Sequence, residues 1–309
     1  MTITYGNAPC SWGTIEGWGQ GIPFSTMLDE LVEAGYTGTE LGDYGYMPTD
    51  PEKLWTELSN RNLTMLGAYE GVFLKDRTAH AEGETRVLRT ARLLKSVADL
   101  GDPAWQPFVV LADEHSKDPE RFQNAGHQNQ DSSLSEAQWQ VFCAGAEQIA
   151  RAVWNETGLK TVFHHHSAGY VETPEEMDRF LAGTPADILG LVFDTGHYLF
   201  GTGTNVADQV QEGLRRFRDR LWYVHYKDLQ PEVAAEVRVR GFHYQEAIGR
   251  GVFCELGRGC IDFAAVHQTL QDLGYSGWVT VEQDVLPGMG APKESARRNR
   301  EHLRSVTGI

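Results

Sequence analysis

The chain has 309 residues, a formal net charge of −16, and a composition of 41% hydrophobic and 23% charged residues. That balance suits one globular domain over residues 1–309 with a sizeable core, and it excludes fibrous, low-complexity and disordered classes. An acidic chain without basic clusters also makes a nucleic acid or an anionic membrane a poor partner.

Short apolar runs alternate with amphipathic segments along the whole chain. “ITYGNAP” (3–9) reads as a strand, and 23–35 as a helix, with Met27, Leu28, Leu31 and Val32 at helical spacing before Gly35. “TGTELG” (37–42) is a second strand, and 50–62 a helix opened by Asp50 and Pro51. “TMLGAYEGVF” (64–73) is the third strand, 81–101 a long helix, and “PFVVLAD” (107–113) the fourth strand. A polar connection over 114–133 leads to a helix at 134–158. “LKTVFHHH” (159–166) is the fifth strand, followed by a helix at 173–183 capped by Thr173. “DILGLVFDTGH” (187–197) is the sixth strand, 206–217 a helix, and “LWYVHYKD” (221–228) the seventh strand. The segment 229–260 is too long for a simple connection and reads as a lid-like loop over the barrel mouth. A helix at 263–274, an eighth strand “GWVTVEQD” (277–284) and a helix at 292–306 complete the chain.

Eight strand-then-helix units in series imply parallel pairing through right-handed crossovers. At this length they point to an α/β fold, a single (β/α)8 TIM barrel. The competing open doubly wound sheet needs a glycine-rich dinucleotide or phosphate loop, and neither motif is present.

Cys10, Cys143, Cys254 and Cys260 fit neither a zinc knuckle nor a redox pair, so they read as reduced thiols. No basic-then-apolar leader opens “MTITYGNAPC”, and no apolar run approaches the ~20 residues that span a bilayer. The expected location is the cytoplasm.

Active sites of such barrels form at the carboxyl ends of the strands. Polar residues there are Glu40, Glu70, His164, His165, His166, Asp194, His197, His225, Lys227, Glu282 and Asp284. Side chains alternate faces along a strand, so His164 and His166 share one face and His165 takes the other. The same parity pairs Val192 with Asp194, Tyr223 with His225 and Lys227, and Thr280 with Glu282 and Asp284. The expected result is a metal site of His164 (or His166), Asp194, His225 and Glu282. Imidazoles with carboxylates suit Mn²⁺ or Co²⁺, with Zn²⁺ or Fe²⁺ as alternatives, better than Mg²⁺. A lone strand-end histidine is more often structural, and His165 is read so. Glu40 and Asp284 are read as rim salt-bridge residues before any substrate role. Lys227 would project into an acidic pocket and touch substrate. Trp12 and Tyr69 are either core or the aromatic walls of a sugar site. His243, His267 and His302 carry no site role.

“FDTGH”, “VHYKD”, “WVTVEQD” and “GRGCIDF” resemble the xylose-isomerase-like sugar isomerase/epimerase superfamily, over nearly the whole chain. “NAPCSWG”, “HHHSAGYVETPEEMDRFL” and “GLVFDTGH” look most like its inosose dehydratase branch. The resemblance implies a metal held from strands five to eight, with Asp194, His225 and Glu282 on three of the family positions. The strand-five position is usually a glutamate in the epimerases; here it is His164. The opposed carboxylates of an epimerase are thus reduced to Glu282 alone, which favours a one-sided β-elimination of water from a keto-polyol such as 2-keto-myo-inositol. In that reading His166 or Glu282 is the general base, and Lys227, Glu70 or His197 the general acid. Trp12, Glu40, His197 and Lys227 contact substrate. The alternatives are a sugar isomerase or epimerase and a non-catalytic carbohydrate-binding barrel. A repair endonuclease of the same superfamily needs a basic surface that this chain lacks. A homo-oligomer through the helical layer is compatible with such a barrel.

Overall fold

The computed structural model describes residues 2–13, 21–102, 104–114, 117–128, 132–204, 206, 208–285 and 288–309. Positions 115–116 and 129–131 of the polar connection, and position 207 of the expected 206–217 helix, lie outside them.

The first half of the chain runs β1 (Ile3–Asn7), α1 (Phe24–Ala34), β2 (Gly38–Thr39), α2 (Pro51–Ser59), β3 (Thr64–Met65), β4 (Gly67–Val72), α3 (His80–Leu100), β5 (Phe108–Asp113), α4 (Pro119–Gln123) and α5 (Glu136–Thr157). Next come β6 (Thr161–His164), α6 (Pro174–Ala182), β7 (Leu189–Asp194), α7 (Thr195–Gly201), α8 (Gln209–Arg216), β8 (Leu221–Tyr226) and β9 (Asp228–Leu229). The last elements are α9 (Pro231–Arg240), α10 (Tyr244–Gly249), β10 (Phe253–Cys254), α11 (Phe263–Asp272), β11 (Gly277–Val281) and α12 (Pro292–Thr307).

Every pairing in the main sheet is parallel. β1 sits between β2 and β11, and β3 and β4 are two parts of the one expected third strand, broken at Leu66. β3 bonds β2 and β4 bonds β5, so the strands form a nearly closed barrel consistent with the (β/α)8 form. Packing forces that closure to be tight. A Cβ on Gly6 would lie 2.3 Å from Leu66 Cδ1 and 2.9 Å from the Gly38 carbonyl oxygen, so only glycine fits there.

Two apolar layers follow from strand parity. Leu66, Val110, Val162, Val192 and Tyr223 form a fully buried cluster inside the barrel. The larger cluster, including Leu28, Leu94, Phe142, Phe163, Phe193 and Val266, fills the space between strands and helices. The caps obey local chemistry: Asp50 accepts from the Lys53 N–H, and Thr173 forms a capping box with Glu176.

Three local expectations are corrected. The sixth strand stops at Asp194, because its carboxylate accepts from the His197 N–H (2.7 Å) and caps α7 at once. His197 is therefore a helical residue. The fifth strand stops at His164. The segment 229–260 is not a loop: it folds into α9, α10 and an antiparallel β9–β10 ladder. The Asp228 carboxylate gathers the N–H groups of Leu229, Gly257, Gly259 and Ile261, which anchors the base of that segment.

The turn after the histidine run is held by a buried cation. Arg121 donates from Nη1 and Nη2 to the two Glu176 oxygens at 2.9 and 2.8 Å, and from Nε to the Gly169 carbonyl at 2.7 Å. Both partners are buried, so Arg121→Ala strands a carboxylate in the interior. Its expected cost is about 3–5 kcal/mol of unfolding free energy, read as a lowered urea midpoint.

Candidate active site

One inward step above the apolar layer, the strand ends turn polar. Val162 is followed by His164, Val192 by Asp194, and Tyr223 by His225. Thr280 is followed by Glu282, just past the end of β11. His164, Asp194, His225 and Glu282 each offer one ligand atom, and all of these lie within 4.8 Å of one another. Of the two histidines expected to share the inward face, His164 is the one in the cluster. Its ring centroid lies 5.1 Å from that of His225.

The polar atoms of this cluster are short of partners. His164 Nδ1, His225 Nδ1 and Asp194 Oδ2 are buried and make no hydrogen bond. Each such atom costs about 1–3 kcal/mol when left alone. Glu40, Asp194, Glu282 and Asp284 place four carboxylates in this region against one ammonium, Lys227. Orphaned imidazole and carboxylate atoms converging in a negative field fit a divalent cation.

The field shows in the titration of the cluster. Burial, with help from His225 and His166, holds the His164 imidazole well below its usual range. Burial raises Asp194 to about 7, with Glu282 pushing the same way and Lys227 opposing. Burial disfavours a charged His225, but Glu282 and Glu40 outweigh it and push that imidazole up to about 9. Burial likewise opposes the Lys227 charge, and Asp284, Glu282 and Asp194 overcome it, so the ammonium is held protonated. Its Nζ lies 3.2 Å from both Asp284 oxygens and 3.3 Å from Glu282 Oε2.

Around the cluster sits a second layer. Glu40 Oε1 accepts from His225 Nε2 at 2.8 Å and from the Tyr223 hydroxyl at 2.8 Å. Expected at the rim or on substrate, Glu40 is buried and bonded to His225, a member of the cluster. Glu40→Gln should therefore weaken divalent-metal affinity about 10–100-fold, measured by competition with a chelator, and leave the fold intact. His165, as expected, faces away: its Nε2 accepts from the Asp194 N–H at 3.0 Å. His166 Nδ1 lies 2.7 Å from the Ser167 carbonyl, which can only accept, so in the neutral ring Nε2 is the acceptor nitrogen. The His166 and His197 rings lie 4.0 Å apart, and Ser167 Oγ is 2.8 Å from His197 Nδ1. Tyr244 of α10 and Phe253 of β10 pack on these rings, with centroids 5.6 Å from His166 and 4.7 Å from His197. Lys227 Nζ lies 5.0 Å from the Phe253 ring centroid.

Two expected site residues lie elsewhere. Glu70 accepts from the Thr90 hydroxyl of α3, because Tyr69 takes the inward face and the next residue must face the helices. It lines a cleft of about 230 Å³ with Asp43, Tyr44, Arg86 and Arg89. Trp12 is packed in the outer core, and its indole N–H donates to Glu30 of α1 at 2.8 Å. Ser167, Tyr244 and Phe253 were not singled out from sequence, and of these only Ser167 carried a signal, its place directly after the histidine run; Tyr223 was placed on the face of His225 but given no role.

The match to a family model decides the relationship: residues 28–306 fit the xylose isomerase-like TIM barrel. The chain belongs to the xylose isomerase-like TIM-barrel family. Among family relatives, an inosose dehydratase of Geobacillus kaustophilus is 31% identical over 300 residues, covering 96% of this chain and 92% of its own. An inosose dehydratase of Bacillus licheniformis is 32% identical over 304 residues, covering 97% and 95%. Two solved structures share the barrel with TM-scores of 0.68: the 3-keto-D-glucoside 4-epimerase YcjR of E. coli and the IolI protein with a bound zinc atom. They are 15% and 16% identical and cover 98% and 99% of this chain, and 100% and 98% of their own, so they speak for the fold. No helix among the described residues is long and apolar enough to cross a membrane.

Proposed function

We propose that this xylose isomerase-like barrel is a metal-dependent hydro-lyase that dehydrates a keto-polyol of the 2-keto-myo-inositol class. The observation that carries the reading is the cluster of His164, Asp194, His225 and Glu282, in which His164 Nδ1 and Asp194 Oδ2 are buried without a hydrogen bond and His225 Nδ1 meets only a Glu282 oxygen at 3.2 Å. The inosose dehydratases at 31% and 32% identity support the substrate class.

His164, Asp194, His225 and Glu282 would hold Mn²⁺ or Co²⁺. When bound, the ion supplies Lewis acidity to a ketone oxygen and a neighbouring hydroxyl, which acidifies the adjacent C–H. His166 is the base: its Nδ1–H is tied to the Ser167 carbonyl, and Nε2 takes the proton from carbon. That proton is then available to the departing β-hydroxyl, which leaves as water. Lys227 keeps its own proton, held by Asp284 and Glu282, and its ammonium opposes the negative charge that develops on oxygen. Tyr244 packs on the His166 ring and Phe253 on that of the buried His197. One-sided proton handling accords with an imidazole, rather than a second carboxylate, at the end of the fifth strand. The cytoplasm is the expected compartment.

The test is to incubate the metal-loaded protein with 2-keto-myo-inositol and follow the ultraviolet absorbance of the enolised dione, with mass spectrometry of the product. Loss of one water is the expected result. A product of unchanged mass would make the protein an isomerase or epimerase. Binding without turnover would make it a carbohydrate-binding barrel.

A further inference from the structure

On the dehydratase reading, the geometry points to Glu172 as a positioning residue that locks the turn carrying His166 and Ser167. Glu172 is buried. One carboxylate oxygen accepts from the Ala168 N–H at 2.7 Å, and the other from the Gly126 N–H at 2.6 Å. Gln128 Nε2 adds a contact at 3.2 Å. The carboxylate thus ties the turn after β6 to the connection after β5, two segments that share no strand ladder.

What it holds is a strained conformation. Ala168 has φ +70, the left-handed region that an alanine rarely adopts, and Asn62 is the only other non-glycine residue with positive φ among the described residues. The turn closes through His166 N–H to the Val171 carbonyl and Gly169 N–H to the His166 carbonyl, each at 3.2 Å. With Ala168 held there, the Ser167 N–H reaches His197 Nδ1 at 3.3 Å, its hydroxyl lies 2.8 Å from the same atom, and its carbonyl meets His166 Nδ1 at 2.7 Å. Space on the far side of Glu172 is closed: a Cβ on Gly201 would lie 2.2 Å from its carbonyl oxygen. Without the carboxylate, Ala168 would relax from positive φ and carry both histidine contacts with it. Misplacement of a base by about 1 Å costs on the order of 10²-fold.

The experiment compares wild type, Glu172→Gln, Glu172→Gln with Ala168→Gly, and Ser167→Ala, all metal-loaded. Glutamine accepts through one oxygen only, so E172Q should lower kcat by about 10–100-fold with KM and bound metal near wild type. Adding Ala168→Gly, which lets the backbone keep positive φ unaided, should restore about tenfold of that loss. A merely structural role would lower the melting temperature without this split or this rescue. Ser167→Ala removes no buried charge and serves if E172Q does not fold; it should lower kcat about tenfold with metal retained. Unchanged kcat in E172Q, or in S167A, overturns the proposal. Wild type without turnover strikes the dehydratase reading instead. The lock is then read by hydrogen exchange of the Ala168 and Gly126 amides, which E172Q should speed at least about tenfold; unchanged exchange of both overturns it.

Discussion

Asp194→Asn is expected to strip the protein of its divalent cation and to lower kcat/KM by at least about 10³-fold while the barrel stays folded. The substitution separates the two jobs of this residue. Asp194 Oδ1 caps α7 by accepting from the His197 N–H, which an asparagine oxygen continues to do. Asp194 Oδ2 is buried and makes no hydrogen bond, and there an amide nitrogen would replace the oxygen proposed to hold the cation. In metal-free protein the exchange also removes a buried carboxylate whose charge is disfavoured first by burial and then by the neighbouring, partly exposed Glu282. Metal analysis after gel filtration and the melting temperature without metal are the two measurements. Wild-type metal content in the variant would sink the ligand assignment; loss of the fold would mean that the buried cluster does not accommodate an amide at this position.

Lys227→Met is expected to lower both activity and stability, by about 10²–10³-fold in kcat/KM and about 3–5 kcal/mol in unfolding free energy. Lys227 is buried between Glu282 and the two oxygens of Asp284; His225 Nδ1 lies 3.2 Å from the other Glu282 oxygen, so the Asp284 carboxylate depends on the ammonium more than Glu282 does. Removing the ammonium leaves two carboxylates facing each other away from water. The double variant with Asp284→Asn tests the cause. It relieves the repulsion, so most of the stability should return, while activity should not, because the positive charge beside the reacting oxygen is still missing. Recovery of both would reduce Lys227 to a structural ion pair. Recovery of neither would place the stability loss in packing against Phe253.

Together these variants divide the site into a cation-binding part and a charge-stabilising part, joined through Glu282. That residue faces His225 Nδ1 with one oxygen (3.2 Å) and Lys227 with the other (3.3 Å). Glu40 stands behind His225, and Glu172 behind the His166 turn. Glu40 bonds an imidazole directly, whereas Glu172 bonds the backbone amides of Gly126 and Ala168 beside one.

Period-2 alternation and the caps belong to the chain by itself. The shared parity of Val162 with His164, Val192 with Asp194, Tyr223 with His225 and Thr280 with Glu282, the opposite facing of His165, and the Asp50 and Thr173 caps all follow from interactions within a few residues, whereas the alternation does not show the stops at His164 and Asp194. The alternation shows that Tyr69 and Glu70 must face opposite ways, but not which one faces in. That choice depends on the register between β4 and β5 and on the closure of the barrel, where Tyr69 ↔ Val110 and Glu70 ↔ Leu111 are paired. Trp12 went to the helical layer for the same kind of reason, because Glu30 of α1 meets its indole there. Glu40 and His225 are 185 residues apart, and no local pattern foretells their contact. The segment after β8 folds because Asp228 collects amides from a turn some thirty residues on. Residue types and spacing therefore determined which side chains could ligate a metal. Only the closed ring of strands, which brings distant segments to within hydrogen-bond reach, decided which carboxylates join the cluster, which bond its histidines and which face the helices.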